Sequence, residues 1–191
     1  MSSAARPHTG RQRNTAVRQA ILDASLRLFT SRPAAEVTMA AIAAEAGSGK
    51  QTLYRWWPSP YAILLEAAVE MGRSRVPMPD KGNLRDDLRA FVTSTFAGAR
   101  DAQTVGLLRV LAAEAQRDAD ASSMLREFTD RRRDSLRAVF ERGLRRGELD
   151  AGSNIDLLID QVFGVLWYRI LFQNGPLSDA AARELAEAVL Q

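Results

Sequence analysis

The sequence predicts an all-α protein of about nine helices, arranged as a short N-terminal helical domain and a larger C-terminal one. Apolar residues recur three and four positions apart along most of the chain, which is the spacing of amphipathic helices. No stretch alternates with the period of two that a half-buried strand requires. Apolar residues make up 46% of the 191 residues, so the helices can bury a substantial core.

The first helix is predicted to follow a disordered arm. Residues 1–13 are polar and small, so we expect them to be disordered in the free protein. Their arginines can follow a DNA backbone or enter a minor groove, or the arm is a solvated tail; both readings stay open. An apolar stripe then predicts a helix from Asn14 to Ser31, which Pro33 ends.

Two short helices joined by a glycine turn are predicted next. Thr38 is a residue type that caps a helix N-terminus with its side-chain oxygen. Gly47 adopts the positive φ of a helix end at little cost, after which Ser48 and Gly49 open a second helix that Pro58 ends. Two helices around such a turn form a helix-turn-helix, which places its second helix in the major groove of DNA.

The remaining helices are predicted to form the larger domain. The fourth helix is capped by Ser59 and runs to about Arg75, and two prolines and a glycine predict a loop over residues 76–83. The later helices are predicted over residues 84–100, 104–117, 121–146 and 154–172, with a ninth helix capped by Ser178.

Charge is distributed unevenly between the two parts of the chain. Residues 1–60 carry eight Lys and Arg against three Asp and Glu, whereas residues 61–191 carry eighteen against twenty. Positive charge therefore concentrates where the helix-turn-helix lies, as phosphate binding requires. The run Arg131-Arg132-Arg133 in the seventh helix has acidic neighbours, so we interpret it as a solvated, self-paired face and not as a second DNA patch.

The composition argues against an enzyme. The chain has no cysteine, and its one histidine, His8, lies in the predicted arm. No thiolate metal site or histidine-oriented nucleophile can then form, so we expect no catalytic residues, no bound metal and no cofactor. No apolar run reaches membrane-spanning length and the N-terminus lacks the apolar core of a signal peptide. We therefore expect a cytoplasmic protein that contacts no membrane.

The helix-turn-helix carries the sequence pattern of a known family. Ala46-Gly47, Lys50-x-Thr52-Leu53-Tyr54 and Trp57-Pro58-Ser59 together resemble the signature of TetR-type transcriptional repressors. The resemblance runs from the first helix to the start of the fourth, and the rest of the chain agrees in length and helix pattern. It implies a DNA-binding domain over residues 14–58 and an effector-binding and dimerisation domain over residues 59–191.

The resemblance implies a homodimer that binds a palindromic operator in double-stranded DNA and is released by a small-molecule effector. Thr38, Lys50, Thr52 and Tyr54 match the family's phosphate contacts, and Gln51 can bond an adenine edge. Pro60 stands where the family often has lysine, so one phosphate contact is missing. The residues predicted to contact DNA are Thr38, Ser48, Gly49, Lys50, Gln51, Thr52, Tyr54, Arg55 and Trp56.

The effector and the partner subunit are both expected to contact the larger domain. The eighth helix has two adjacent apolar stripes, more than one subunit is expected to cover, so one stripe is assigned to a dimer interface. That interface is predicted to comprise Ile155, Ile159, Val162, Leu166, Leu185 and Val189. The effector cavity is predicted to be lined by Phe91, Phe96, Leu108, Leu111, Phe128, Phe163 and Trp167, although such residues are often core. The alternative function is a helical small-molecule-binding or scaffold protein without specific DNA binding.

Overall fold

The computed structural model describes residues 9–73, 78–172 and 175–191, and their side chains except at 9–14, 69, 71–73 and 103. Within these ranges the chain forms nine α-helices and one short 3-10 helix, Ala34–Glu36, and no strand, which confirms the predicted all-α class. The helices are α1 Thr9–Ser31, α2 Met39–Glu45, α3 Lys50–Trp56, α4 Pro60–Arg73, α5 Leu84–Gly98, α6 Ala102–Glu114, α7 Ala119–Arg145, α8 Ile155–Phe172 and α9 Asp179–Val189.

Side-chain caps fix the starts of seven of these helices. In each case a side-chain oxygen accepts a hydrogen bond from the backbone N–H three residues further on, one of the donors that a helix start leaves unpaired. The predicted caps at Thr38, Ser59 and Ser178 are confirmed in this way. The seven capping residues are Thr38, Ser59, Asn83, Asp101, Asp118, Asn154 and Ser178.

The first helix begins earlier than the sequence predicts. α1 starts at Thr9 and not at Asn14, so residues 9–13 of the expected disordered arm are helical. No proline lies between Thr9 and Ser31, and adding a residue to a formed helix is far easier than starting one. The arm prediction for residues 1–8 concerns positions outside the described ranges.

The first of two units comprises α1, α2, α3 and the beginning of α4. The units meet between Ala67 and Ala68, within α4, so the boundary lies beyond the one predicted between residues 58 and 59. The start of α4 belongs to the first unit because it packs there: the rings of Phe29 and Tyr61 lie 5.8 Å apart. The buried core of this unit includes Ile21, Leu22, Ile42, Leu53, Trp57 and Ile63.

The second unit is built around α5, which packs against α7 and α9, while α8 packs against α6, α7 and α9. One close approach holds α7 against the start of α5. A Cβ atom added to Gly143 would lie 2.7 Å from Cδ2 of Leu84, a buried side chain, so glycine is required for this packing. The Leu84 backbone N–H also donates to Glu148, just beyond the end of α7.

The face of α8 that was assigned to a partner subunit lies in the core of its own subunit. Ile159 and Val162 are 0% exposed, and Leu166 and Val189 are also buried. Ile155 and Leu185 pack, partly buried, against the same core. The interface prediction is therefore wrong for Ile159, Val162, Leu166 and Val189, because neighbouring helices of the second unit cover them, and it stays a prediction for Ile155 and Leu185. The exposed apolar side chains of α8 are instead Leu157, Tyr168, Leu171 and Phe172.

Candidate nucleic-acid interface and ligand cavity

The turn between α2 and α3 depends on Gly47. Its φ of 61° lies in the left-handed region, which side chains other than glycine rarely adopt. The Ser48 backbone N–H donates to the Ala43 carbonyl at 2.9 Å and so closes the end of α2. Gly49 then occupies the N-cap of α3 without a side-chain hydrogen bond. The turn thus starts α3 immediately after α2, as the sequence predicts.

Helix α3 buries one side and leaves the other exposed. Leu53 is fully buried, whereas Lys50, Gln51, Tyr54 and Arg55 are exposed, together with Gly49 before the helix and Thr38 at the start of α2. Ser48, Thr52 and Trp56 are half-buried. Among the described residues no carboxylate pairs with Lys50 or Arg55, so both cations are free to approach an anion. All nine residues predicted to contact DNA thus have accessible surface in this unit.

The C-terminal end of α3 is held by a group of aromatic and charged side chains. The Arg55 guanidinium lies 5.3 Å from the ring centroid of Trp56, which packs edge-on against Trp57. The buried Trp57 indole Nε1 donates to Oε2 of Glu66 on α4 at 2.6 Å, and Glu66 also pairs with Arg18 on α1. Glu66 therefore connects the end of α3 to α4 and α1.

We expect Glu66→Ala to destabilise the first unit by about 1–3 kcal/mol, because it leaves the buried Trp57 N–H without an acceptor. Urea unfolding followed by tryptophan fluorescence measures the change. Glu45→Ala is the matched control: Glu45 pairs with Arg27 on the surface, at 3.0 Å between Nε and Oε1, and such exposed pairs contribute about 0–1 kcal/mol. Equal losses in the two variants would contradict the role of Glu66.

The second unit contains a cavity of about 450 Å³. Its walls are mainly apolar and come from α5, α6, α7 and α8, with Ala68 from α4. Gly164, on the exposed side of α8, also belongs to the lining, and no atom lies within 4 Å of a Cβ added to it. Of the residues predicted for a ligand site, the cavity lining includes Leu108, Phe128, Phe163 and Trp167, whereas Phe91, Phe96 and Leu111 are fully buried core.

The three consecutive arginines of α7 have three different environments. Arg131 pairs with Glu127 on the surface, and Arg133 pairs with Asp156 and Asp160 of α8. Arg132 instead lines the cavity and donates from Nη2 to the Thr95 hydroxyl at 3.0 Å. The prediction of a solvated, self-paired run is therefore wrong for Arg132.

The helical spacing of α7 already contained the signal for Arg132. It stands four residues after Phe128 and four before Leu136, both of which face inward, so it belongs to the inner face of α7. Desolvation by burial lowers the pKa of Arg132, whereas the hydrogen bond to Asp160 raises the pKa of Arg133. Among the described residues that line the cavity, Arg132 is thus the one cation without a carboxylate partner.

Neither a metal site nor a membrane-spanning helix occurs within the described ranges. There, no three His, Asp or Glu side chains lie close enough together to hold a metal ion. None of the helices in the same ranges combines the length and apolar character needed to span a bilayer.

Comparison with known proteins places both units among bacterial regulators. Residues 21–67 match the model "Bacterial regulatory proteins, tetR family", and residues 78–189 match "Tetracyclin repressor-like, C-terminal domain". The chain is 28% identical to the uncharacterised HTH-type transcriptional regulator YdeS of Bacillus subtilis, over 92% of this chain and 89% of YdeS. It is 29% identical to the HTH-type transcriptional regulator AqdR of Rhodococcus erythropolis, over 83% of this chain and 78% of AqdR.

Solved structures agree with the fold. The TetR family transcription regulator SCO0332 superposes with a TM-score of 0.75 at 28% identity, covering 91% of this chain and 96% of that one. The regulator FadR from Bacillus subtilis, solved in complex with stearoyl-CoA, gives a TM-score of 0.73 at 18% identity, covering 91% and 97% of the two chains.

Proposed function

The chain belongs to the TetR family and is a helix-turn-helix transcriptional regulator, and from this premise we propose that it is a repressor that binds a palindromic operator as a homodimer. The exposed side of α3 carries this proposal, because it presents Lys50 and Arg55, which have no carboxylate partner among the described residues, beside Gln51 and Tyr54. Two such helices in one dimer would enter successive major grooves about 34–36 Å apart. The protein would act in the cytoplasm, where its DNA lies, and the role requires no catalysis.

The side chains of α3 divide between positioning and sequence recognition. Lys50, Thr52 and Tyr54, with Thr38 at the start of α2, would contact phosphates and fix the register of the helix on the duplex. Gln51 is exposed on the first turn of α3 and can bond the N6 and N7 atoms of an adenine. Arg55 is stacked on Trp56 and could read a guanine from that position.

An effector would bind in the cavity of the second unit. The volume of about 450 Å³ falls within the range of roughly 300–1,000 Å³ that small-molecule sites occupy. A bound effector would favour the conformation of the subunit for which it has the higher affinity. The protein would leave the DNA if that conformation binds the operator more weakly. Helix α4 carries Glu66, which holds Trp57 at the end of α3, and two residues later Ala68, which lines the cavity.

The dimer would form through the exposed side of α8. Four of its large apolar side chains are exposed: Leu157, Tyr168, Leu171 and Phe172. The rings of Tyr168 and Phe172 lie 5.4 Å apart and form a single apolar patch. Gly164 lies on the same side, where the lack of a side chain permits a second helix to approach closely.

Selection of genomic fragments by the purified protein tests the proposed function. We expect an enriched inverted repeat, a stoichiometry of one dimer per site and an affinity that falls steeply as salt concentration rises, because phosphate contacts release counterions. Lys50→Ala should weaken binding to all sequences and make the salt dependence shallower by about one counterion. Failure to enrich any inverted repeat at low salt would reject the repressor and favour the alternative, a helical ligand-binding or scaffold protein.

Within the selected operator, Gln51→Ala is expected to relax base preference at one position by about 1–3 kcal/mol, since one bidentate base contact is lost. Tyr54→Phe is the matched change of a phosphate contact and should lower the affinity for all sequences alike. Binding to a library of operator variants measures both profiles. A specificity profile that Gln51→Ala leaves unchanged would remove Gln51 from base recognition.

A further inference from the structure

The cavity of the second unit offers mostly apolar surface to an occupant. Its larger apolar lining residues are Leu108, Phe128, Phe163, Leu166, Trp167 and Ile170. These side chains come from three helices, α6, α7 and α8, so apolar surface surrounds the space on several sides. Burial of an aliphatic or aromatic body there is favourable by roughly 25 cal/mol for each Å² removed from water.

Of the charged side chains that line the cavity within the described ranges, Arg132 is the one that has no ion-pair partner. Its guanidinium has five N–H donors and cannot deprotonate near neutral pH. Within the described ranges it makes one hydrogen bond, to Thr95, and no ion pair, and its charged group lies 5.7 Å from the Phe91 ring centroid. Desolvation by burial lowers its pKa, which means that its positive charge loses water without gaining an anion. Charges removed from water in this way are normally paired, so an anion that enters the cavity would find a partner in Arg132.

The geometry around Arg132 suits an oxyanion. The contact with Phe91 and the bond to Thr95 fix the plane of the guanidinium and leave its other donors unused. Thr95 is itself buried, and its hydroxyl accepts from Arg132 while keeping its own hydrogen to donate. A planar carboxylate matches the fork of an arginine with two parallel hydrogen bonds.

The other charges of the cavity lining are already satisfied. Arg133 pairs with Asp160 and with Asp156, which also pairs with Arg137. A cationic ligand would therefore compete with Arg133 for Asp160, and a second acid group would find no free cation. The described lining residues can therefore balance one negative charge of a ligand, through Arg132.

We propose that the cavity binds a monoanionic amphiphile, whose carboxylate pairs with Arg132 and whose aliphatic or aromatic body packs against the apolar lining. The assignment rests on the proposed function in one respect only, namely that this occupant is the effector. It adds the chemical class of the effector and the residue that selects it.

Matched acids and alcohols test this assignment on the intact protein. The probes are decanoate against 1-decanol and 2-naphthoate against 2-naphthol, with decylamine as the cationic counterpart, all below their aggregation concentrations near pH 7. Calorimetric titration should give tighter binding of at least one acid than of its alcohol, and no comparable binding of the amine. Arg132→Met should lower the affinity for that acid by about 10- to 100-fold, because a hydrogen-bonded charge pair is lost, and should change the affinity for the matching alcohol little.

Two further variants provide the controls, one at the neighbouring Arg131 and one that keeps a positive charge at position 132. Arg131→Met, one residue away and paired with Glu127 on the surface, should leave acid binding unchanged. Arg132→Lys keeps the charge but not the fork, and should recover part of the lost affinity. If Arg132→Met fails to fold, the comparison of acid, alcohol and amine on the wild-type protein decides the question.

Three outcomes overturn the assignment: alcohols that bind as tightly as the acids, acid binding that Arg132→Met leaves intact, or no binding of either acid. Operator binding by the wild-type protein is measured separately. A protein that binds the acids and no operator would reject the proposed repressor while keeping the anion site. A protein that binds its operator and none of the acids would reject the anion site alone.

Discussion

Tyr168→Asp is expected to convert the proposed dimer into folded monomers and to lower operator affinity by about 10²- to 10⁴-fold, the range by which two linked sites exceed one. Tyr168 is 51% exposed on α8, so the subunit itself tolerates the change. In a two-fold interface the same substitution occurs twice, and two carboxylates would lose water within one apolar contact. Sedimentation velocity and gel-shift titration measure the two effects.

Two further variants separate loss of the dimer from loss of the fold. Met78→Asp places the same charge on an equally exposed apolar residue outside α8, and it should leave dimer and operator affinity unchanged. Ile159→Asp buries a charge at a position that is 0% exposed within the subunit, so it should abolish folding itself. A Tyr168→Asp variant that sediments as a folded dimer would place the interface on another surface.

Gly143→Ala is expected to destabilise the second unit by about 1–3 kcal/mol, the usual cost of overpacking a core. The added Cβ would lie 2.7 Å from Cδ2, 2.9 Å from Cδ1 and 3.0 Å from Cβ of Leu84. Rotation of the leucine side chain cannot relieve the contact with its own Cβ, so the start of α5 must move. That movement disturbs the Asn83 cap and the bond between the Leu84 N–H and Glu148.

The same substitution at Gly106 is the matched control. Gly106 lies inside α6, and no atom comes within 4 Å of the added Cβ. Gly106→Ala should therefore stabilise the protein by up to about 1 kcal/mol, since alanine favours a helix over glycine. Urea unfolding at one fixed protein concentration gives both values, because the stability of a dimer depends on concentration. Stabilisation by both substitutions would show that Leu84 can yield to the extra atom.

The helix-turn-helix could be predicted from sequence because its determinants are local. Thr38 caps, Gly47 turns and Leu53 faces inward within a stretch of a few turns, and the structure confirms each. Helix α8 shows the limit of this reasoning. The helical spacing of its apolar residues reveals two apolar sides, but which side faces the core depends on helices distant in sequence. The prediction that the stripe with Ile159 and Val162 faces a partner subunit is therefore wrong.

The cavity could be predicted only in part for a related reason. A cavity in a core forms where the surrounding helices do not pack fully against one another. The type of any one side chain in the sequence does not predict where this happens. Phe128 and Phe96 have the same pattern in sequence, yet only Phe128 lines the cavity, while Phe96 is fully buried. The cavity position of Arg132 could not be predicted from composition, because a run of three arginines is typical of a solvent-exposed surface. Only the position of each arginine around the axis of α7 separates Arg132 from its neighbours.

Gly164 lies at a boundary between the cavity and the proposed subunit contact. It lines the cavity from α8 and lies on the side of α8 where the partner is proposed to pack, as does Asp160. An occupant that shifts this segment changes the free energy of subunit association, and reciprocity requires association to change the free energy of occupancy by an equal amount. The apparent dissociation constant of an effector must then drift with protein concentration, so that dilution of the regulator in a cell would alter its sensitivity to the signal.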